Sequence, residues 1–435
     1  MKGDFVMGKS FREAADNVFL FGFPLVVTEI SRWGLDGKGL VHKREFPDVK
    51  DQTIVKMNND TLYSAVSTQL HKTPYIVHIP EINDRYYLFP IMDAYTNVVE
   101  SIGTRTPEKS AGDYILLLEG SKVPEEYSSF RPIFLKNSLN SILLRIETRG
   151  RSDYEYIHSL QDKFTVKPVY PEKLEPVHEY VGTVKDYVLR IKAEEFYSVL
   201  ASAVLHNPIN DKEVYEDFIS IGYNPDTGTF AFDERSREEK EALEGSVSEG
   251  IERLKNSHYN GKLKYYLQNG WFTVTAGLGV YGDDYKTRAA VALTGWGANI
   301  PKDSIYSSAL TDSKGNKFDS GKNYVLHFTP DGFPHASHFW SLTLYGEPSY
   351  YLTDNEINRY VINTYDVNDG TVKLGSDGSL DVYISRTRPS DPDKAVNWLP
   401  APKTEDHFSL VIRNYTPDEY TLEGKWIPPV VEETK

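Results

Sequence analysis

Four charged residues fall in short succession in the first quarter of the chain, each beside hydroxyls, phenols or amides. Asp60 lies in Asn58-Asn59-Asp60-Thr61-Leu62-Tyr63 and Arg85 in Asp84-Arg85-Tyr86-Tyr87. Asp93 opens Asp93-Ala94-Tyr95-Thr96-Asn97, and Arg105 closes Ser101-Ile102-Gly103-Thr104-Arg105. Two carboxylates can divide acid and base work if their surroundings split their pKa values. Two guanidiniums can clamp a carboxylate or phosphate bidentately. Asp60, Arg85, Asp93 and Arg105 are therefore the expected catalytic set, with Asn58, Asn59, Tyr63, Tyr86, Tyr95 and Asn97 as substrate contacts. The chemistry they suit is that of a hydrolase or lyase acting on a small molecule or carbohydrate. The same residues can also form a purely structural network, with Asp and Asn capping turns and Arg pinning carbonyls.

Other motifs carry less. Gly3 to Ser10 matches the phosphate-loop pattern GxxxxGKS letter for letter. That loop needs a buried strand before it, and only two residues precede Gly3, so the stretch reads as a chain end running into a helix cap. His335 and His338 stand three apart, which turns them to opposite faces of a strand, and with His327 they read as surface histidines, not zinc ligands. Asp366 to Gly370 lacks the ligand spacing of a calcium loop. Asn59-Asp60-Thr61 and Asn414-Tyr415-Thr416 are glycosylation sequons. HExxH and GxSxG are absent. No metal is expected, and the sequence leaves any cofactor open.

The elements that would position these groups follow from period. Ser10 and Glu13 form a capping box before Phe11, Ala14, Ala15, Val18 and Phe19 at helical spacing, and Pro24 is expected to kink or end that helix near Phe23. Short apolar runs at Val77 to Ile79, Tyr86 to Phe89 and Tyr114 to Leu118, separated by turn residues, predict a β-sandwich. Ala193 to Val204 and Arg237 to Lys255 carry amphipathic stripes, and Leu278 to Ala292 is a third helical candidate weakened by Gly279 and Gly282. Alternation at Tyr324-Leu326-Phe328, Trp340-Leu342-Leu344, Leu380-Val382-Ile384 and Phe408-Leu410-Ile412, with Asp-Gly turns between, predicts a second sandwich of jelly-roll type. The expected organisation is a helical segment over 1–45, a β-sandwich over 46–190, a helical middle over 191–305 and a jelly-roll-like β domain over 306–435.

Bulk properties narrow the partners. A net charge of −15 in 435 residues disfavours nucleic acid and anionic membrane. The absence of cysteine excludes disulfides and thiolate chemistry. The apolar stretch Val18 to Val27 is about half a membrane span and reads as a core helix, not as an export signal. A small-molecule or carbohydrate ligand is the expected partner, and self-association into a homo-oligomer is compatible. The 30 tyrosines suit rigid ligand platforms, with Trp340, Tyr345, Tyr350 and Tyr351 as candidates for a non-catalytic binding module, though Trp340 suits a core better. A structural or assembly protein is the third class, since fold alone does not decide function.

The blocks around Asn58 to Ser64, Arg85-Tyr86-Tyr87, Asp93 to Asn97 and Ser101 to Thr106 resemble the domain of unknown function 1254. Phe339 to Thr343, Asn358-Arg359-Tyr360, Asp377 to Ile384, Asn397 to Pro402 and Phe408-Ser409-Leu410 resemble its usual companion, the domain of unknown function 1214. The resemblance runs in order from about Phe19 to Pro429. It implies a helical start, a β-sandwich, a helical middle and a jelly-roll-like end, and it implies no reaction. Many relatives are exported, whereas no export signal is read here, so the compartment stays open.

Overall fold

The alternating segments form two separate two-sheet layers, with a helical unit built from both sides of the first. The computed structural model describes residues 9–35, 37–51, 56–174, 181–256, 262–312 and 314–434. The stretch Gly3 to Gly8 of the phosphate-loop-like motif lies outside them.

In the first β unit, a five-stranded sheet runs in the order Val41–His42, Thr61–Ser67, Asn140–Glu147, Tyr87–Asp93, Val98–Gly103. It packs on a four-stranded sheet ordered Arg131–Leu135, Gly112–Leu118, Tyr75–Ile79, Thr165–Pro168. Leu62, Val66, Phe89, Leu116, Ile142 and Leu144 fill the space between. Neighbours within each sheet are antiparallel except Gly112–Leu118 and Arg131–Leu135. The alternation along Asn140–Glu147 sends Ile142, Leu144 and Ile146 into this core and turns Arg145 to the opposite face.

The second β unit repeats the plan. A six-stranded sheet runs Lys264–Gln268, Trp271–Ala276, Ser304–Ala309, His407–Pro417, Ala336–Glu347, Val361–Asn363. The facing sheet runs Trp398–Pro400, Leu380–Ser385, Asn323–Phe328, Val431–Thr434. Trp340, Leu342, Leu344, Phe408, Leu410 and Ile412 point into their shared core, which leaves Ser341, Thr343, Tyr345, Arg413 and Tyr415 on the outer face. The chain is thus a multidomain, β-rich fold of antiparallel sandwiches with helices and no closed barrel. Two strands of the six-stranded sheet, Lys264–Gln268 and Trp271–Ala276, arise from the segment expected to be helical. Lys264–Gln268 is the edge strand, and its exposed positions hide its period; Trp271–Ala276 lies inside the sheet with Trp271, Thr273 and Val274 buried.

The first helix, Phe11–Trp33, is central to the helical unit and shares one core with Ala193–Val204, Lys212–Ile221, Arg237–Lys255 and Tyr285–Thr294. It is long and apolar enough to span a membrane by length and composition, and 72% of that stretch is buried among its neighbours. Gly250 admits the Phe19 ring so closely that a Cβ there would lie 2.4 Å from it, and Gly22 does the same for Leu200. Two expectations need correction. Pro24 does not end or break the helix, which runs nine residues further; packing on all sides outweighs the one lost N–H. The third middle helix begins at Tyr285 rather than Leu278, because Gly277, Gly279 and Gly282 take positive φ and Asp284 caps the helix only after them.

Candidate inter-sheet site

The outer faces of the five-stranded and six-stranded sheets meet, and what they press together is polar. On the first sheet Tyr63 pairs in register with Arg145, and Arg145 with Leu88. On the second, Ser341 pairs with Arg413, and Arg413 with Tyr306. Rows of side chains on facing sheets are brought together this way only when both sheets turn the same parity outward.

Asp60 holds the two faces together. Its carboxylate is 3% exposed. Oδ2 accepts from Ser341 Oγ at 2.7 Å and Tyr415 Oη at 2.8 Å, and Asn58 Nδ2 donates to the same phenol at 2.8 Å. Asn58 Oδ1 also caps the turn by accepting from the Asp60 and Thr61 amides. Burial raises the Asp60 pKa above the usual carboxylate value, against the pull of Arg413 and the two hydroxyls. Arg413 donates to Tyr345 Oη at 2.8 Å, Thr343 Oγ1 at 3.0 Å and the Lys56 carbonyl at 3.0 Å. Burial opposes its charge, but Tyr345, Tyr415 and Asp60 hold its pKa above the ordinary arginine value. Arg145 donates to the Gly297 carbonyl at 2.6 Å and lies 5.3 Å from the Tyr63 ring centre.

Several polar atoms here have no protein partner among the described residues. They are Asp60 Oδ1, Asn59 Oδ1, Tyr86 Oη, His338 Nδ1, Arg413 Nε, and Arg145 Nε and Nη1. Buried polar atoms are nearly always paired, so a cluster of exceptions marks a place where water or a ligand supplies partners. Tyr306, which acts on Tyr63, Arg145 and Arg413, keeps 39% of its surface exposed, so the cluster reaches solvent at this ring. Burial lifts the Tyr86 and Tyr306 phenols above their ordinary pKa and depresses that of His338, so the phenols stay protonated and the imidazole neutral near pH 7.

The ten residues expected from sequence divide among four places. Asn58, Asn59, Asp60, Tyr63 and Tyr86 belong to the inter-sheet cluster. Arg105 stands at its margin, where its Nε and Ser101 Oγ each lie 2.5 Å from the carboxylate of buried Asp303, which acts on Tyr86. Arg85 lies elsewhere, bonded to Asp153 at 3.0 Å and placed 5.1 Å from the Tyr156 ring centre. Asp93, Tyr95 and Asn97 form the turn after Tyr87–Asp93, with Asp93 Oδ1 accepting the Tyr95 and Asn97 amides at 2.9 Å and Tyr95 Oη donating to the Asn207 carbonyl. One shared pocket for the four charged residues is therefore corrected. Arg85 and Asp93 flank opposite ends of a seven-residue strand, which spans about 20 Å. The surface platform is corrected in part too, since Tyr345 is fully buried, while Trp340 takes the core place preferred for it. The sequon residue Asn414 is also buried.

Arg145, Tyr306, Ser341, Arg413 and Tyr415 were not anticipated. A signal existed for two of them. Arg145 and Arg413 each interrupt a run of apolar strand residues, and an arginine there must be buried beside a partner or a ligand. The histidines separate as well. His327 contacts Asp381, His335 contacts Asp418, and His338 lies 5.6 Å from the Tyr86 ring.

A sandwich of each kind, joined through a helical unit and meeting at a polar inter-sheet site, defines a two-part β architecture. The family model described as "Protein of unknown function (DUF1254)" matches residues 38–168, and "Protein of unknown function (DUF1214)" matches residues 303–419. The chain belongs to the proteins that combine these two domains. Each domain supplies one half of the inter-sheet cluster. The chain is similar in structure to the VPA0106 protein from Vibrio parahaemolyticus, with a TM-score of 0.69 and 18% identity over 98% of this chain and 100% of that one. An uncharacterised protein from Burkholderia cenocepacia aligns at a TM-score of 0.44 and 11% identity, over 98% of this chain and 94% of that one. No curated protein matches the sequence.

Proposed function

We propose that the protein is an enzyme, a hydrolase or lyase, acting on a small organic anion held between the two sheets. The observation that carries this reading is the set of unpartnered buried atoms on the facing sheets: Arg413 Nε and Asp60 Oδ1, with Arg145 Nε and Nη1 across the partly exposed Tyr306. The charge balance selects an anion. Asp303 and Glu147 are already met by Arg105 and Arg149, which leaves two guanidiniums against Asp60 alone. A carboxylate or phosphate would take the free arginine N–H groups, which are worth most where water is excluded. Asp60, with its raised pKa, suits proton transfer through Oδ1, and Tyr86 Oη can donate to developing negative charge.

Calorimetric titration with phosphate, acetate and succinate tests the anion. At least one is expected to bind, at least tenfold more weakly to Arg145→Met; no heat from any of the three would refute an anion site. Proton NMR of the protein with phosphate monoesters, carboxylic esters and hydroxy acids then tests turnover, which Asp60→Asn should abolish. Binding without turnover would favour the second reading, a non-catalytic anion-binding module. That reading draws on one observation: Asp60 Oδ2 is already bonded to two hydroxyls and so also has a structural role.

A further inference from the structure

A cavity of about 1070 Å³ lies where the first β unit meets the helices. Asp93, Tyr95 and Asn97 line one wall, Phe134 to Asn137 with Asn140 another, and Tyr285 and Arg288 of the helix Tyr285–Thr294 a third. Its volume sits at the upper end of the range of small-molecule sites.

Its chemistry differs from that of the inter-sheet site. The lining carboxylates Asp93, Glu100, Glu119 and Asp211 outnumber the cations Lys136, Lys212 and Arg288, four to three. Arg288 is moreover enclosed by the rings of Phe21, Tyr95 and Tyr285 at 4.9, 5.2 and 4.8 Å, and it donates to the Phe21 carbonyl. Arg288 Nε is a further unpartnered buried donor, but the excess of carboxylates around it disfavours an anion. Two amides on the wall instead have unpartnered atoms of opposite kind. Asn137, 5% exposed, has a buried Nδ2 donor without a partner, and Asn140, fully buried, has an unpartnered Oδ1 acceptor. The two are neighbours, since Asn140 Nδ2 donates to the Asn137 carbonyl at 2.7 Å. A group that accepts from one and donates to the other is a hydroxyl. Beside them Val99 and Phe134 expose 47% and 45% of their surfaces, an apolar face of the kind on which a sugar ring lies flat.

We propose that this cavity is a binding site for a neutral carbohydrate, distinct from the inter-sheet site. Hydroxyls meet Asn137 and Asn140, and the apolar face of a ring packs on Phe134. Asn137→Leu removes an unpartnered donor and keeps the side chain's shape, so the fold is expected to tolerate it. Phe134→Ala alters only an exposed ring. The test is saturation-transfer NMR on the full chain with glucose, galactose, mannose, N-acetylglucosamine, maltotriose and cellotriose. Transfer to at least one of them is expected, with a tenfold or greater loss of affinity in each variant. No transfer to any of the six, or transfer undiminished in both variants, would overturn the site.

Discussion

Replacing Arg413 by Met should destabilise the protein in a pH-dependent way, because it removes the main positive charge acting on Asp60. The methionine retains much of the volume and loses three donated hydrogen bonds, to Thr343, Tyr345 and the Lys56 carbonyl. Two unit charges about 6 Å apart, at an effective dielectric near 20, attract by about 3 kcal/mol. Leaving a buried charge without its partner costs about 3–5 kcal/mol in all. That cost applies in full only while Asp60 is ionised. Burial already raises its pKa above the ordinary carboxylate value, and loss of the guanidinium raises it further. A carboxyl whose folded pKa is raised binds more protons folded than unfolded. Stability therefore falls as pH rises from about 4 through the folded pKa, by at most about 1.4 kcal/mol per pH unit for one proton. The variant extends this window upward, so its deficit relative to the parent should be larger at pH 7.5 than at pH 5. Asp60→Asn in the same chain removes the charge and should recover about 2–3 kcal/mol at pH 7.5. Urea unfolding of the parent, both single variants and the double variant at the two pH values measures all of these terms. Equal deficits at both pH values, or no recovery in the double variant, would refute Asp60 and Arg413 as a coupled buried pair.

Substitutions at four further positions probe other parts of the fold. Gly250→Ala places a methyl where Phe19 packs and should cost about 1–3 kcal/mol, read as a lower melting temperature; an unchanged melting temperature would mean that the two helices do not pack this closely. Asp93→Ala removes the acceptor of two backbone amides and should cost about 1–2 kcal/mol in chemical denaturation, whereas Asp93→Asn, which keeps an acceptor, should cost less. Arg85 and Arg105 should differ although the sequence treats them alike. Arg105→Ala leaves Asp303, 2% exposed, without its guanidinium and should cost about 3 kcal/mol or more, while Arg85→Ala, whose Asp153 also accepts the Arg149 amide, should cost about half of that or less. Comparable losses from the two would contradict the assigned pairings.

The strand and helix periods were legible wherever one face is apolar and the other wet. Ala193–Val204 and Arg237–Lys255 form as helices where their stripes begin and end, and the four alternating segments after position 320 are all strands. Period failed where local rules met tertiary packing: at Pro24, held inside a helix by neighbours on every side, and at Lys264–Gln268, a strand whose exposed residues leave no alternation to read.

For the site, residue types and local turns were determined by the sequence alone. Asn58 caps its own turn and Asp93 caps another, because both act over two to four residues. Which of these groups share a space was decided only by the tertiary structure. Asp60 meets Ser341 and Tyr415 across 281 and 355 residues, while Asp93, closer to it along the chain, is carried away by a seven-residue strand and the Arg85 side chain turns to Asp153. The physical reason is that alternation within a strand states which residues share a face, but not which other face that one will meet. Arg145 and Arg413, each an arginine inside an apolar run, come together only because two sandwiches with separate cores pack their outer faces on one another.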